Sequence, residues 1–293
     1  MRNKIALLIS TLISITMTAQ IKGVVKDSLS GVTVPFVNIS VENENIGTTS
    51  EEDGSFVIHQ TEEHKNLIFS ALGYEKKKVN ASKSQVVFLK PTAYELNEVM
   101  IDDRKNTSAV EIGATKNSIY QAFDNGPRID TKFFPYSPEY KKTKYIKAVT
   151  VETDSKIEAA LIKLHFYKVD ANGYPGEELM TKDFLVTVKK GISKNRFDLS
   201  NFNLKIPTKG LFVGFEKLII EKNKYEKTTT DFNTNKKQTV TSYAPLVLYN
   251  YVERDYLYMY SGGKWTRQTH QEEGSTIHKI MVYEPAINLI LTN

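Results

Sequence analysis

Short runs of alternating apolar and polar residues, broken every few positions by turn-forming residues, constrain this chain more than anything else in it. In Leu161-Ile-Lys-Leu-His-Phe-Tyr-Lys-Val169, the residues Ile162, Leu164 and Phe166 share one side, while Lys163, His165 and Tyr167 share the other. Successive side chains of a strand point to opposite faces, so a period of two predicts a strand with one face buried and one in water. Val34, Phe36 and Asn38 alternate with Val37, Ile39 and Val41. Leu67-Ile-Phe-Ser-Ala-Leu72 and Val86-Val-Phe-Leu89 are near-continuous apolar runs, which suits strands enclosed in a small sandwich. Asp53-Gly54, ahead of Phe56-Val-Ile58, is a strong hairpin signal. Further strands are expected at 184–189, 196–199, 210–220, 244–251, 257–260 and 277–283.

No stretch carries a sustained helical stripe with caps, and strands do not alternate with helices. The fold class is therefore all-β: a small N-terminal β-sandwich of seven or so strands at 21–90, then a larger antiparallel jelly-roll-like β-sandwich at 113–293. Residues 91–112 read as a linker, containing one last extended segment, Tyr94-Glu-Leu-Asn-Glu-Val-Met-Ile101, and polar Asp102-Asp-Arg-Lys-Asn-Thr-Ser108.

Ahead of these units stands a leader at 1–20, read as a signal peptide helix. Arg2 and Lys4 form its positive end, an apolar core runs from Ile5 to Met17, and small Thr18 and Ala19 suit cleavage near Gln20. The core is shorter than the roughly 18–20 residues a membrane-spanning helix needs. No second segment is long enough to span, so the mature chain is expected to carry no transmembrane helix. Export would place it in the periplasm or at the outer membrane and cell surface. The chain has no cysteine, so neither disulfides nor lipidation of a leader cysteine support it. Its net charge of +5 falls to +3 without Arg2 and Lys4. That surplus is spread among interspersed acids, and nucleic acid is not expected as a partner.

Gly23-Val-Val-Lys-Asp, Val34-Pro-Phe-Val-Asn-Ile, Gly47-Thr-Thr, Glu52-Asp-Gly-Ser-Phe56 and Leu72-Gly-Tyr74 occur in that order. Together they resemble the carboxypeptidase regulatory-like domain, whose fold is a transthyretin-like β-sandwich and which is common in exported proteins of Bacteroidetes-type bacteria. Glu95-Leu-Asn-Glu-Val-Met-Ile101 is similar to the segment that often follows it, including in TonB-dependent receptors. Too little chain follows for such a receptor's plug and barrel. Asn172-Gly-Tyr-Pro-Gly-Glu-Glu-Leu179, Phe197-Asp-Leu-Ser200 and Phe212-Val-Gly-Phe-Glu216 look similar to a β-sandwich region that accompanies this domain in small exported proteins. The resemblance implies a fold and a compartment, not an activity.

The residues themselves give no reaction. His59-Gln-Thr-Glu62 has zinc-peptidase spacing, with His165 as a conceivable third ligand, but on a strand residues three apart face opposite sides. His270-Gln-Glu-Glu273 with His278 lies in a charged loop. No Gly-x-Ser-x-Gly elbow is present, and Gly262-Gly263 reads as a hairpin turn rather than a phosphate cradle. Asp102-Asp103 and Glu272-Glu273 read as solvated loop. Asp27, Glu51, Glu52 and Asp53, or Asp170 with Asn172, offer oxygen ligands for calcium, yet these are also ordinary turn residues. We expect no cofactor, no metal and no catalytic residue.

A binding surface is what remains. Tyr256, Tyr258 and Tyr260 share one face by period two, with Trp265 across the Gly262-Gly263 turn. Facing outward they form a stacking platform; facing inward they are core. The reading is a non-enzymatic, exported cell-envelope protein acting as an interaction module, its partner an envelope protein or a glycan. The alternatives are carbohydrate binding through Tyr256, Tyr258, Tyr260 and Trp265, and a zinc peptidase using His59 and Glu62.

Overall fold

A computed structural model describes residues 20–59, 62, 64–92, 107–115, 121–231, 235–269 and 279–293. The expected signal peptide helix, the 95–101 segment, Asp102-Asp103 and the His270, Glu273 and His278 motif lie outside the described residues. The N-terminal unit comprises β1 (Ile21–Asp27), β2 (Asn38–Val41), β3 (Gly47–Thr49), β4 (Ser55–Ile58), β5 (Asn66–Ser70), β6 (Lys77–Asn80) and β7 (Val86–Leu89). They form two sheets, β4-β1-β7 and β3-β2-β5-β6, with β1 antiparallel to β4 and parallel to β7. Val25, Phe56, Ile58, Val87 and Leu89 from the first sheet meet Ile39, Val41, Leu67 and Phe69 from the second. Phe56 packs edge-on against Phe69, centroids 5.6 Å apart. That is the small sandwich expected from the alternation.

The Asp53-Gly54 turn differs from its expected role. β3 and β4 lie in different sheets, so this turn carries the chain across the sandwich instead of closing a hairpin. Gly54 sits at φ +78°, and a Cβ there would lie 2.9 Å from the Val25 carbonyl oxygen and 2.8 Å from Thr33 Cβ. Gly54→Ala is expected to cost about 2 kcal/mol from the left-handed backbone and the close approach. Urea unfolding measures this directly; a loss below roughly 0.5 kcal/mol, the usual limit for a neutral surface change, would contradict it.

The C-terminal unit begins with β8 (Ala109–Ile112), inside the interval read from sequence as linker, and β9 (Gln121–Ala122). There follow β10 (Ile129–Phe134), β11 (Tyr145–Ser155), β12 (Ala160–Val169), β13 (Pro175–Glu178), β14 (Phe184–Val188), β15 (Gly191–Asp198) and β16 (Leu211–Lys217). The last are β17 (Lys224–Thr230), β18 (Lys237–Tyr243), β19 (Leu246–Arg254), β20 (Leu257–Ser261), β21 (Lys264–Gln268), β22 (Ile280–Pro285) and β23 (Ile287–Thr292). One sheet runs β13-β12-β16-β10-β20-β21, with β14 beside β12; the other runs β22-β19-β11-β23-β8, with β15 beside β11 and β9 beside β19. β17 and β18 form a separate ribbon. Every pairing in this unit is antiparallel, and Ile162, Leu164, Phe166, Val213 and Phe215 meet Val149, Val151, Ile287 and Leu289 between the sheets. No helix among the described residues is long and apolar enough to cross a membrane.

The two units are packed together. The Gly262-Gly263 turn closes the β20–β21 hairpin, with φ of +58° and +83°, and docks on the N-terminal unit. Asn43 N–H donates to the Gly262 carbonyl at 3.0 Å, and a Cβ on Gly263 would come within 2.6 Å of Ile68. Further along the seam, Ile219 N–H donates to Thr49 Oγ1 at 3.1 Å and Glu221 N–H to Glu51 Oε1 at 2.9 Å.

Candidate functional site

Docking buries a face that the alternation of β12 assigned to water. Lys163, His165 and Tyr167 do point away from the sandwich core, as their period requires, yet they are only 2%, 6% and 7% exposed. The correction has a plain cause. Period two tells which residues share a face, not what comes to cover that face. Here the N-terminal unit and the segment around β13 close over it.

Burial forces these polar groups to find partners. His165 lies between two carboxylates, Nδ1 2.7 Å from Glu178 Oε1 and Nε2 2.8 Å from Glu216 Oε2. Its ring stacks on Tyr167, centroids 5.3 Å apart and 7° from parallel. Lys163 Nζ donates to the Phe36 carbonyl at 2.7 Å and pairs with Asp183 at 3.2 Å. Asn38 Nδ2 donates to Glu216 Oε1 at 2.6 Å. Phe36 and Asn38 belong to the N-terminal unit, so this network ties the units together as well as neutralising β12.

The charges hold one another in place. Burial opposes a charge on His165, but Glu178 and Glu216 outweigh it and raise the imidazole to about 10. Burial likewise opposes the Glu216 carboxylate, and Lys163, His165 and Asn38 overcome that, holding it down at about 2. Lys163 is pushed up in spite of its burial by Glu216, Asp183 and Glu178. An imidazolium with both nitrogens facing carboxylates has no lone pair for a metal and no capacity to accept a proton at neutral pH.

Beside this network lies a cavity of about 710 Å³, lined from both units. Asn38, Ser70, Tyr74 and Lys76 come from one side; His165, Glu178, Tyr260 and Trp265 come from the other. Lys76 Nζ donates to the Gly263 carbonyl at 3.0 Å and stands 5.0 Å above the Tyr260 ring. It pairs with no carboxylate among the described residues, and burial pushes its ammonium down. Burial raises the Tyr260 hydroxyl to about 12.

Residues 21–101 match the CarboxypepD_reg-like domain family. No curated protein and no solved structure matches the chain. The match covers all of β1 to β7, so the CarboxypepD_reg-like unit is the part whose kinship is shown, and it supplies one wall of the cavity. The other wall is the outward face of the β12, β16 and β20 sheet.

The four aromatic residues singled out in the sequence line two cavities, although Tyr256, Tyr258 and Trp265 belong to one aromatic cluster. Tyr260 and Trp265 line the cavity against the CarboxypepD_reg-like unit, with ring centroids 5.2 Å apart. Tyr256 and Tyr258 line a second cavity of about 420 Å³ farther along the sheet. Tyr258 and Tyr260 are buried, while Tyr256 and Trp265 are half-buried. Tyr258 packs edge-on to Phe212 at 5.4 Å, and Trp265 edge-on to Tyr167 at 5.3 Å.

The zinc candidates are not brought together. His59 is exposed at the end of β4 in the CarboxypepD_reg-like unit, and Glu62 pairs at 3.0 Å with exposed His64, whereas His165 is sealed between its carboxylates. The aspartates among the calcium candidates act as turn caps, while Glu51 accepts the Glu221 N–H across the seam. Asp27 accepts the Leu29 and Ser30 N–H groups, Asp53 that of Ser55, and Asp170 those of Asn172 and Tyr174. Among the described residues no three His, Asp or Glu side chains gather as metal ligands.

Sequence reasoning missed Asn38, Lys76, Glu178 and Glu216. One signal for Glu216 was available: it is the lone acid within the apolar run Leu211-Phe-Val-Gly-Phe-Glu-Lys-Leu-Ile-Ile220. An acid inside a strand buried on both faces demands a partner.

Proposed function

We propose that this protein is a non-enzymatic binding protein of the cell envelope, with the cavity between its two units taking a hydroxyl-rich ligand of the glycan class. The observation that carries the reading is the make-up of that cavity. Half-buried Trp265 offers a ring face for the apolar side of a sugar, with Tyr260 packed beside it, and Asn38, Ser70 and Glu178 offer hydrogen-bonding groups for its hydroxyls. Its volume lies in the range of small-ligand sites, about 300–1,000 Å³. Both units contribute walls to the cavity. The basic and apolar leader supports export. The engagement of His165 by two carboxylates supports a binding rather than a hydrolytic role.

Trp265 is the only tryptophan in the chain, so its emission reports on this cavity alone. Titration with neutral oligosaccharides from envelope polysaccharide is expected to give a saturable change in that emission. Trp265→Ala is expected to weaken binding, followed by calorimetry, about tenfold for loss of stacking worth some 1.4 kcal/mol. Absence of saccharide binding, together with a stoichiometric protein crosslinked through this seam, would replace the glycan by a protein partner. A hydrolase activity abolished by His165→Ala would overturn the non-enzymatic role.

A further inference from the structure

The second cavity lies wholly within the C-terminal unit. It opens where β20 leaves β10: β16 pairs with the whole of β10, from Ile129 to Phe134, but β20 pairs with Ile129 and Asp130 only. Thr131 Oγ1 donates to the Tyr258 carbonyl at 2.7 Å as the last tie before the strands part. The gap admits a slot of about 420 Å³ that reaches from the aromatic outer face of the sheet to charged groups inside the sandwich.

At the bottom of the slot Lys132 Nζ donates to the Gly113 carbonyl at 2.6 Å, lies 3.2 Å from Glu284 Oε1 and stands 5.5 Å from the Phe134 ring. The Lys132 and Glu284 side chains are each 2% exposed. Arg254 grips the same carboxylate with both ends of its fork, Nε to Oε2 at 2.7 Å and Nη2 to Oε1 at 2.8 Å. Two cations therefore share one acid. The other acid lining the slot is Asp255, exposed at the rim. Across the wall, Arg267 lies 4.9 Å over the Tyr256 ring and 5.9 Å from that of Tyr258, and its Nε has no hydrogen-bond partner among the described residues. Rings of Phe133, Phe212 and Tyr256 supply the sides, with Phe133 4.8 Å from Phe212 and 6.0 Å from Tyr256.

Below the rim the two cations have Glu284 alone as counter-charge, because Asp255, the second acid, stands in water at the rim. In a water-poor slot an excess cation is unfavourable, and a carboxylate answers it with paired charge and hydrogen bonds. Burial pushes Lys132 down, so Glu284 does not fully offset the loss of water around it. We infer that this slot binds a carboxylate carried on a six-membered ring, the carboxylate directed at Lys132 and Arg254 and the ring held between Phe133, Phe212 and Tyr256. The ring is that of a hexuronic acid or of an aromatic acid. Both present one carboxylate on a ring that has an apolar C–H or π face.

Saturation-transfer NMR and calorimetry on the full chain at low salt, with glucuronate, benzoate and glucose as probes, test this. Glucuronate is expected to bind and glucose to bind at least tenfold more weakly, in keeping with a charge-assisted contact. Lys132→Met keeps the volume but leaves Arg254 and Glu284 as a neutral pair, and is expected to remove that preference. Arg254→Gln, at a half-exposed position, is the second variant should the first not fold, and is expected to reduce glucuronate binding about tenfold. Binding of benzoate with no glucuronate binding assigns the slot to aromatic acids and keeps the carboxylate site. Equal binding of glucose and glucuronate, binding of none of the probes, or glucuronate binding unchanged in both variants overturns the inference.

Discussion

Glu216→Ala is expected to remove about 3–5 kcal/mol of unfolding free energy, the range for breaking a buried ion pair. Glu216 is 2% exposed and serves three partners: His165 Nε2 at 2.8 Å, Asn38 Nδ2 at 2.6 Å, and Lys163 at 3.9 Å. Truncation leaves the His165 and Asn38 donors facing a void, and each unsatisfied buried donor costs about 1–3 kcal/mol. It also severs Asn38, which joins the N-terminal unit to the C-terminal sheet. For a domain stable by some 5–15 kcal/mol, that loss is a large fraction of the total. Glu216→Gln retains an acceptor for Asn38 and the side-chain volume, so it is expected to recover part of the loss. Paired urea titrations of both variants measure the difference. A cost below about 1 kcal/mol for alanine, the level of an exposed pair, would show the network to be solvated and the seam to rest on other contacts.

The same residues show where sequence reasoning stopped. Alternation in β12 placed Lys163, His165 and Tyr167 on one face, and the structure keeps them there. What alternation could not supply was the covering layer, because much of that layer comes from residues more than a hundred positions away. Phe36 and Asn38 meet Lys163 and Glu216 at separations of 127 and 178 residues. The local signals fared better. The seven strands of the N-terminal sandwich follow from β-branched runs and turns, and Gly262-Gly263 closes the hairpin its two glycines suggested. β11 was not anticipated, although beyond the register shift at Ile146–Ala148 its residues Val149, Val151 and Thr153 alternate with Thr150, Glu152 and Asp154. β23, in the apolar tail Ile287-Asn-Leu-Ile-Leu-Thr292, pairs with β11 on one side and β8 on the other. Its run Leu289-Ile-Leu291 places apolar side chains on both faces, so the sequence showed no apolar–polar period to read. The split of Tyr256 and Tyr258 from Tyr260 and Trp265 has the same origin. Period two set the tyrosines on one face, while the parting of β20 from β10 decided which cavity each one lines.

Stability is expected to fall as pH rises from 6.5 toward 10. His165 is raised from an ordinary 6.5 to about 10, so the folded chain keeps a proton that the unfolded chain releases. Its contribution is complete below 6.5 and is lost as the pH climbs through 10. Glu216, lowered from 4.5 to about 2, acts on the other side. Its contribution is complete above 4.5 and is lost as pH drops through 2, in parallel with Asp124, which burial alone would raise but which Lys217 and Ser242 hold down at about 2. The network is thus at full strength between pH 4.5 and 6.5. One proton sets the limiting slope on the alkaline side, about 1.4 kcal/mol per pH unit. Lys76 and Lys132, lowered by burial from 10.5, act in the opposite sense near the top of that range, so the His165 limb is best read between pH 6.5 and 9. Urea unfolding across that interval is expected to show a steady decline in the native chain and a flatter profile in His165→Gln, whose amide does not titrate. A native profile that is level or rising from 6.5 to 9 would mean that His165 is neutral when folded. One of its ring nitrogens would then carry a lone pair in the cavity, restoring to it the capacity to take a proton or ligate a metal that its two carboxylates now deny.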